Sequence, residues 1–246
     1  MLGLIKQTTG NVRIFGHDAQ TDKLAAHQNL AYVPGEASLW PFLTGNETLH
    51  LLAKTHTRTD EKYRDELIKK FNLEPDKKVR TYSKGNKQKI TLIAALSSRA
   101  DLLILDEPTS GLDPLMEQVF REAVVEAKNN GQTVFLSSHI MEEVEALCDR
   151  VAVLRSGKLV ELGTLPELRH LTAVSIQATF EQSPPDIKHV AGVSHVKINA
   201  NSLSCQVSGP ITELLQVISK HKPITLLSRE PSLEELFLSL YGGKSE

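Results

Sequence analysis

The stretch Leu102-Leu103-Ile104-Leu105-Asp106-Glu107-Pro108 delivers two adjacent carboxylates at the end of an unbroken apolar run. Four apolar residues in a row read as a strand buried on both faces, and open α/β sheets bind their ligands at the carboxyl ends of such strands. On one reading Asp106 holds Mg²⁺, directly or through water, and Glu107 polarises a water for attack on a γ-phosphate. On the other, the two acids are a solvated strand end. Ser110-Gly111-Leu112-Asp113-Pro114 follows at once, with Asp113 placed to cap a helix and Pro114 to open it. The next strand-like segment, from Thr133, ends in Ser137-Ser138-His139. If the two strands are neighbours, His139 stands at the same sheet edge as the carboxylates.

A second group lies upstream in Tyr82-Ser83-Lys84-Gly85-Asn86-Lys87-Gln88. Ser83 and Gly85 open a helix that carries Ile90, Leu92, Ile93, Ala95 and Leu96. Free backbone N–H groups and the helix dipole favour an anion at such a start. A Ser-capped amphipathic helix with no ligand has the same pattern.

The elements that must position these residues alternate. A lysine-rich helical stretch runs from about Thr44 to Ser98, broken at Glu74-Pro75-Asp76, and reads as an inserted helical lobe. Strand 102–106, a helix from Pro114 to Asn130 closed by Gly131, strand 133–137 and a helix over Met141 to Leu147 give the pattern of a parallel sheet with covering helices. Val151 to Gly163 reads as a hairpin with Ser156-Gly157 at its turn. After a Ser183-Pro184-Pro185 break, strand-like and helical segments alternate, so residues 172–246 are expected to form a small α+β accessory domain beside a larger α/β domain over 1–169. At the other end, Leu2, Leu4 and Ile5 read as the last turn of an apolar helix, and Val12, Ile14 and Phe15 as a strand.

Composition narrows the function classes. Twenty-eight Lys and Arg against 30 Asp and Glu leave a net charge of -2, with no basic block to track a nucleic-acid backbone. Cys148 and Cys205 are isolated, which fits a reducing, cytoplasmic compartment better than a disulfide framework or a metal site. No apolar run approaches the roughly 20 residues that span a bilayer.

Taken together, the motifs resemble those of the nucleotide-binding subunit of an ATP-binding-cassette (ABC) transporter, over roughly residues 1–169. Leu102 to Pro114 looks like that family's Walker B strand and D-loop, Tyr82 to Gln88 like its signature motif, and Leu136-Ser137-Ser138-His139 like its switch histidine. The resemblance implies a P-loop NTPase-like ABC ATPase core with a helical subdomain over about 44–98, and ATP and Mg²⁺ as cofactors. Asp106 would be the magnesium-associated acid, Glu107 the general base and His139 a γ-phosphate contact. Asp113 would communicate across a dimer, and Ser83, Gly85 and Asn86 would meet ATP bound on a second ABC ATPase subunit. It further implies a membrane permease partner and a peripheral place on the cytoplasmic face of the cell membrane. An alternative is a non-catalytic partner that lends only its signature motif to an intact ABC subunit.

The departures are specific. Lys84 replaces the first glycine of the usual Ser-Gly-Gly-Gln, a variant that resembles the drug and antibiotic exporter branch, as does the tail Pro231 to Gly243. In Tyr32-Val33-Pro34-Gly35-Glu36, Gly35 stands where the family's Q-loop has glutamine, and Glu36 stands one position along, where a carboxylate points elsewhere unless the loop is rearranged. Trp40 and Phe42 lie in the loop that enters the helical lobe, either anchoring it or facing the permease. The 246 residues hold no G-x-x-x-x-G-K-[ST] run; Gly243-Lys244-Ser245 lacks the first glycine and a following helix. By resemblance the phosphate loop is expected about two helical turns before Met1.

Overall fold

The computed structural model describes residues 2–169 and 173–229. The tail Pro231 to Gly243 and the Gly243-Lys244-Ser245 triplet lie outside them. The chain divides into two units, Met1–Leu147 and Cys148–Glu246.

The first unit begins with two short paired strands, β1 (Arg13–Ile14) and β2 (His17–Asp18), and a single-turn helix α1 (Lys23–His27). A strand β3 (Leu30–Val33) leads into the helical lobe of α2 (Gly45–Ala53), α3 (Glu61–Lys70) and α4 (Lys84–Ser97). Then come β4 (Leu102–Asp106), α5 (Pro114–Asn129), β5 (Thr133–Ser137) and α6 (Met141–Leu147). The three longer strands form one parallel sheet in the order β3-β4-β5, with Leu105 paired to Val33 and to Leu136, and Asp106 to Ser137.

Local chemistry explains these boundaries. Thr44 and Glu47 close a reciprocal capping box at the start of α2: the Glu47 N–H donates to Thr44 Oγ1 (3.2 Å), and the Thr44 N–H donates to Glu47 Oε2 (2.7 Å). Asp60 caps α3 by accepting the Tyr63 N–H at 3.0 Å, and Arg99 donates two bonds to its other oxygen, each 3.2 Å. The Tyr63 N–H, and then Arg99, hold the Asp60 carboxyl below its ordinary range. The Arg99 guanidinium also lies 3.7 Å from the Tyr63 ring centroid, so one ion pair and one cation–π contact fasten α3 to the end of α4.

The amphipathic pattern expected for α4 is realised as a helix enclosed on all sides: every residue from Gln88 to Ser97 is buried. Around it pack Leu49, Leu67, Phe71, Leu103, Leu105 and Phe120, which makes α4 the centre of the core on one face of the sheet. The opposite face carries Leu30 and Ile104 against Ile14, Ala19 and Ala26.

One expectation differs from the structure. Residues 2–7 form no helix, and Leu4 and Ile5 are 83% and 85% exposed; so short a segment cannot repay the nucleation cost of a first turn. The β4 strand is buried as its apolar run requires, while β3 and β5 are the outer strands of the sheet among the described residues, and their Tyr32 and Phe135, joined in register through Ile104, are exposed.

In the second unit, β6 (Arg150–Arg155) and β7 (Lys158–Thr164) form an antiparallel hairpin, followed by α7 (Leu165–Arg169). Its turn residues Ser156 and Gly157 both have positive φ (50° and 74°), the signature of the turns whose twist matches a hairpin. Strands β8 (Val174–Phe180), β9 (Val193–Asn199) and β10 (Ser202–Val207), helix α8 (Thr212–Lys220) and strand β11 (Pro223–Arg229) complete it. These four strands form an antiparallel sheet in the order β11-β8-β10-β9. Ile176, Ala178, Phe180, Leu203, Cys205 and Val207 alternate inward to meet Leu214 and Ile218 of α8. Burial raises the Cys205 thiol above its ordinary range, and Cys148 and Cys205 form no disulfide.

Candidate functional site

Parallel pairing of β4 with β5 brings their carboxyl ends together, and the residues that follow each strand meet there. The Ser137 hydroxyl donates to Asp106 Oδ1, and the Glu107 N–H continues the ladder to the Ser137 carbonyl at 2.9 Å. His139 Nδ1 lies 3.3 Å from Glu107 Oε1, with both side chains open to solvent (73% and 48% exposed). They border a cleft of about 230 Å³ that Ser110, Gly111, Leu112 and Glu117 also line.

The backbone at Glu107 is unusual. Its φ is +42°, a left-handed conformation that costs a residue with a Cβ on the order of 1–2 kcal/mol. Strain at a solvent-facing carboxylate is the kind retained where the side chain's direction matters.

The start of α4 sits beside the same loop. Ser83 is the N-cap, its Oγ accepting the Asn86 N–H at 3.2 Å, and Lys84 Nζ donates to Ser110 Oγ at 2.9 Å. Gly85 is buried where a Cβ would run into the Gly111 carbonyl oxygen, and Gly111 itself has a φ of +82°. The two glycines therefore let the helix start and the 110–112 loop touch backbone to backbone. Gly85→Ala is expected to push them apart and to cost about 1–3 kcal/mol in urea unfolding. A variant with an unchanged midpoint would show that the approach is not required.

Asp113 caps α5 by accepting the Met116 N–H at 3.0 Å, with Pro114 at the first helical position. Gly35 packs with its Cα beside the Asp106 carbonyl, 3.3 Å from where its Cβ would stand, while Glu36 is exposed. Trp40 and Phe42 are 49% and 75% exposed. Sequence reasoning missed Gln88: it is fully buried on α4, and its amide donates to the Pro34 carbonyl at 3.0 Å, tying α4 to the loop of Gly35. A polar side chain one turn before Leu92, on the helix face that Leu92 continues, was the available signal.

The donor set suits a hard cation. Asp106 and Ser137 present oxygen at one point, and no group of three or more His, Cys, Asp or Glu side chains forms a cage among the described residues. Mg²⁺ is commonly held this way, by one or two carboxylates with waters and phosphates completing the shell.

Comparison with known proteins gives the class and then the family. The fold is that of the P-loop NTPase cassettes: the chain superposes on a solved "Structure of ATP binding subunit of ABC transporter" with a TM-score of 0.65 and 31% identity, covering 69% of this chain and 73% of that one. A dimeric post-hydrolysis structure of the ATP-binding cassette MJ0796, bound to ADP and Pi, gives a TM-score of 0.58 over 66% of this chain and 76% of that one at 23% identity, a likeness of fold alone. The profile of the family described as "ABC transporter" matches residues 1–110. The linearmycin resistance ATP-binding protein LnrL of Bacillus subtilis (strain 168) is 33% identical over 98% of this chain and 83% of its own length. The daunorubicin resistance ATP-binding protein DrrA3 of Streptomyces coeruleorubidus is 28% identical over 97% of this chain and 80% of its own. The chain belongs to the ABC transporter family, among its ATP-binding proteins.

Proposed function

We propose that this chain is the ATP-hydrolysing subunit of an ABC exporter of the drug and antibiotic branch, working with a separate membrane permease on the cytoplasmic face of the cell membrane. The observation that carries the reading is the pairing of Glu107 with His139 at 3.3 Å beside Asp106, at the carboxyl edge of two adjacent parallel strands. Relatives named for linearmycin and daunorubicin resistance support the branch. Among the described residues no helix is long and apolar enough to cross a membrane, so transport in this reading needs a partner that does.

Each residue then has a task. Asp106, with Ser137, would hold Mg²⁺, which supplies charge neutralisation at the phosphates when bound. The Glu107 carboxylate accepts a proton from an attacking water in the cleft, and His139 meets the γ-phosphate with the ring nitrogen that Glu107 leaves free. Ser83, Gly85 and Asn86, at the positive end of α4, face ATP bound on a second ABC subunit, and Asp113 lies on the loop that links the two sites. Gly35 and Glu36 belong to the loop between the lobe and the sheet, and the exposed Trp40 and Phe42 offer the permease an apolar contact. Residues 172–246, within the second unit Cys148–Glu246, serve as an accessory domain.

The 246 residues contain no phosphate-cradling G-x-x-x-x-G-K-[ST] run, so in this reading the loop that grips ATP comes from outside them. The same observation favours a second reading, in which the chain lends only the start of α4 to an intact subunit. One experiment separates them. Mg²⁺-dependent ATP turnover is measured for this chain alone, for a form extended upstream with a phosphate loop, and for a mixture with an intact homologous subunit. Turnover only in the extended form and the mixture supports the first reading, and loss of it with Glu107→Gln in the extended form confirms the base. Turnover confined to the mixture and insensitive to Glu107→Gln supports the second. Robust turnover by the chain alone overturns the claim of an external loop.

A further inference from the structure

One polar side chain sits where packing alone has no need of it. Gln88, in the second turn of α4, is fully buried at the start of the stretch that the core encloses. Its Nε2 donates to the Pro34 carbonyl at 3.0 Å, while its Oε1 is buried without a partner. The partner fixes this orientation, because a carbonyl has no proton to give and only the amide nitrogen can face it. As a contribution to stability the arrangement is poor: one bond is made, and one acceptor gives up its hydration with nothing in return. Pro34 is only half-buried, so water could serve its carbonyl, and an apolar side chain at position 88 would strand no oxygen. The bond is better explained by what it holds in place.

What it holds is the segment beside Glu107. The pairing of β3 with β4 stops at Val33 and Leu105, whereas β5 stays paired one residue further, at Asp106 and Ser137, and the Glu107 N–H then donates to the Ser137 carbonyl at 2.9 Å. On the β5 side the backbone of Asp106 and Glu107 is therefore held by the sheet. On the β3 side it is flanked by Pro34 and Gly35, which lie past the last pair of the ladder. Gly35 stands so close that a Cβ on it would lie 3.3 Å from the Asp106 carbonyl oxygen and 3.5 Å from Glu107 Cβ. Glu107 carries the left-handed φ of +42°, and strain of this kind persists only where the surroundings over-determine the conformation. The Ser137 carbonyl is one such restraint, and Gly35, packed at the Glu107 Cβ, is the other.

We propose that Gln88 is a positioning residue for Glu107: by holding the Pro34 carbonyl it keeps Gly35 against the end of β4, and so keeps Glu107 in the conformation that directs its carboxylate to His139. The proposal rests on reading Glu107 as the hydrolytic base. It accounts for a buried amide on a helix that packing alone would make apolar there, and for a strained residue whose side chain is open to solvent yet stands 3.3 Å from His139. Gln88 is not among the residues that line the cleft, so its action on the reaction passes through Gly35 and Glu107.

Amide hydrogen exchange on the chain tests the geometry without turnover. Gln88→Met and Gln88→Leu both remove the donor, with side chains of different shape that suit a helix equally well. Each is expected to speed exchange of the Glu107 amide about tenfold, while the amides of Val124 and Ala127 in α5 stay within about twofold of the parent. Unchanged exchange at Glu107 in either variant overturns the proposal, as does equal acceleration in α5, which would mark a general loss of stability. In the extended, turnover-competent form, both variants are expected to lower kcat about tenfold at nearly constant KM. An unchanged kcat, with or without a rise in KM, overturns the positioning role. Insensitivity of turnover to Glu107→Gln instead overturns the reading of Glu107 as the base, and the exchange rates then decide by themselves whether Gln88 sets the backbone at that residue.

Discussion

Replacing Glu107 by Gln lowers Mg²⁺-dependent ATP turnover by roughly 10²- to 10⁴-fold, the range a positioned general base contributes. The measurement uses the extended form or a reconstituted pair of subunits, and the loss falls on kcat and not on KM, because Gln retains the size and hydrogen-bonding reach of the side chain and removes only its basicity. The geometry makes the prediction specific to this carboxylate. Asp106 is engaged by the Ser137 hydroxyl, and Glu117, although it lines the same cleft, is not the residue paired with His139. Retention of more than about a tenth of the parent rate would mean that another group takes the proton or that deprotonation does not limit the chemistry.

The second large effect is on stability. Phe120→Ala is expected to cost about 3–5 kcal/mol, read as a lowered urea midpoint with an unchanged slope. Phe120 is fully buried on α5 in the core cluster that also contains Leu92, Leu96, Leu103 and Leu105. Removing the ring opens a cavity that the enclosed α4 cannot collapse to fill, since that helix is packed on every side. Against a typical domain stability of about 5–15 kcal/mol the loss leaves little reserve. Phe42→Ala provides the contrast: the ring is 75% exposed, and its removal is expected to change stability by less than about 0.5 kcal/mol. A cost above about 2 kcal/mol for Phe42→Ala would show that the loop packs on the lobe after all.

Much of the fold is legible in the residues, and the reasons differ by element. The β4 strand announces itself because burial on both faces demands an unbroken apolar run, and α5 because Asp113-Pro114 and Gly131 mark both ends. The β6–β7 hairpin is readable from Ser156-Gly157 alone, since few pairs tolerate two successive left-handed residues. Strand β11, Pro223–Arg229, left no clear mark: most of its residues are exposed, so the alternation that reveals a half-buried strand is absent. The missing helix at residues 2–7 shows the opposite error, an apolar pattern too short to nucleate a helix.

The site divides in the same way. Asp106, Glu107 and His139 could be named from strand ends, but their proximity depended on which strands are neighbours, and only the pairing of Asp106 with Ser137 supplies it. Lys84 read as a motif variant; that it reaches Ser110 is a matter of tertiary placement, as is the contact of Gly85 with Gly111. Gln88 escaped notice because a single polar residue on a helix looks like a solvated one until burial is known.

The left-handed backbone at Glu107 has a consequence for how the chain would change under artificial selection. Glycine adopts that conformation without a Cβ clash, so a population of variants screened for heat resistance alone would be enriched in glycine at position 107, gaining on the order of 1 kcal/mol. The same survivors would carry no base beside His139. Durability and turnover are opposed at this one residue, and a screen that rewards the first will quietly discard the second.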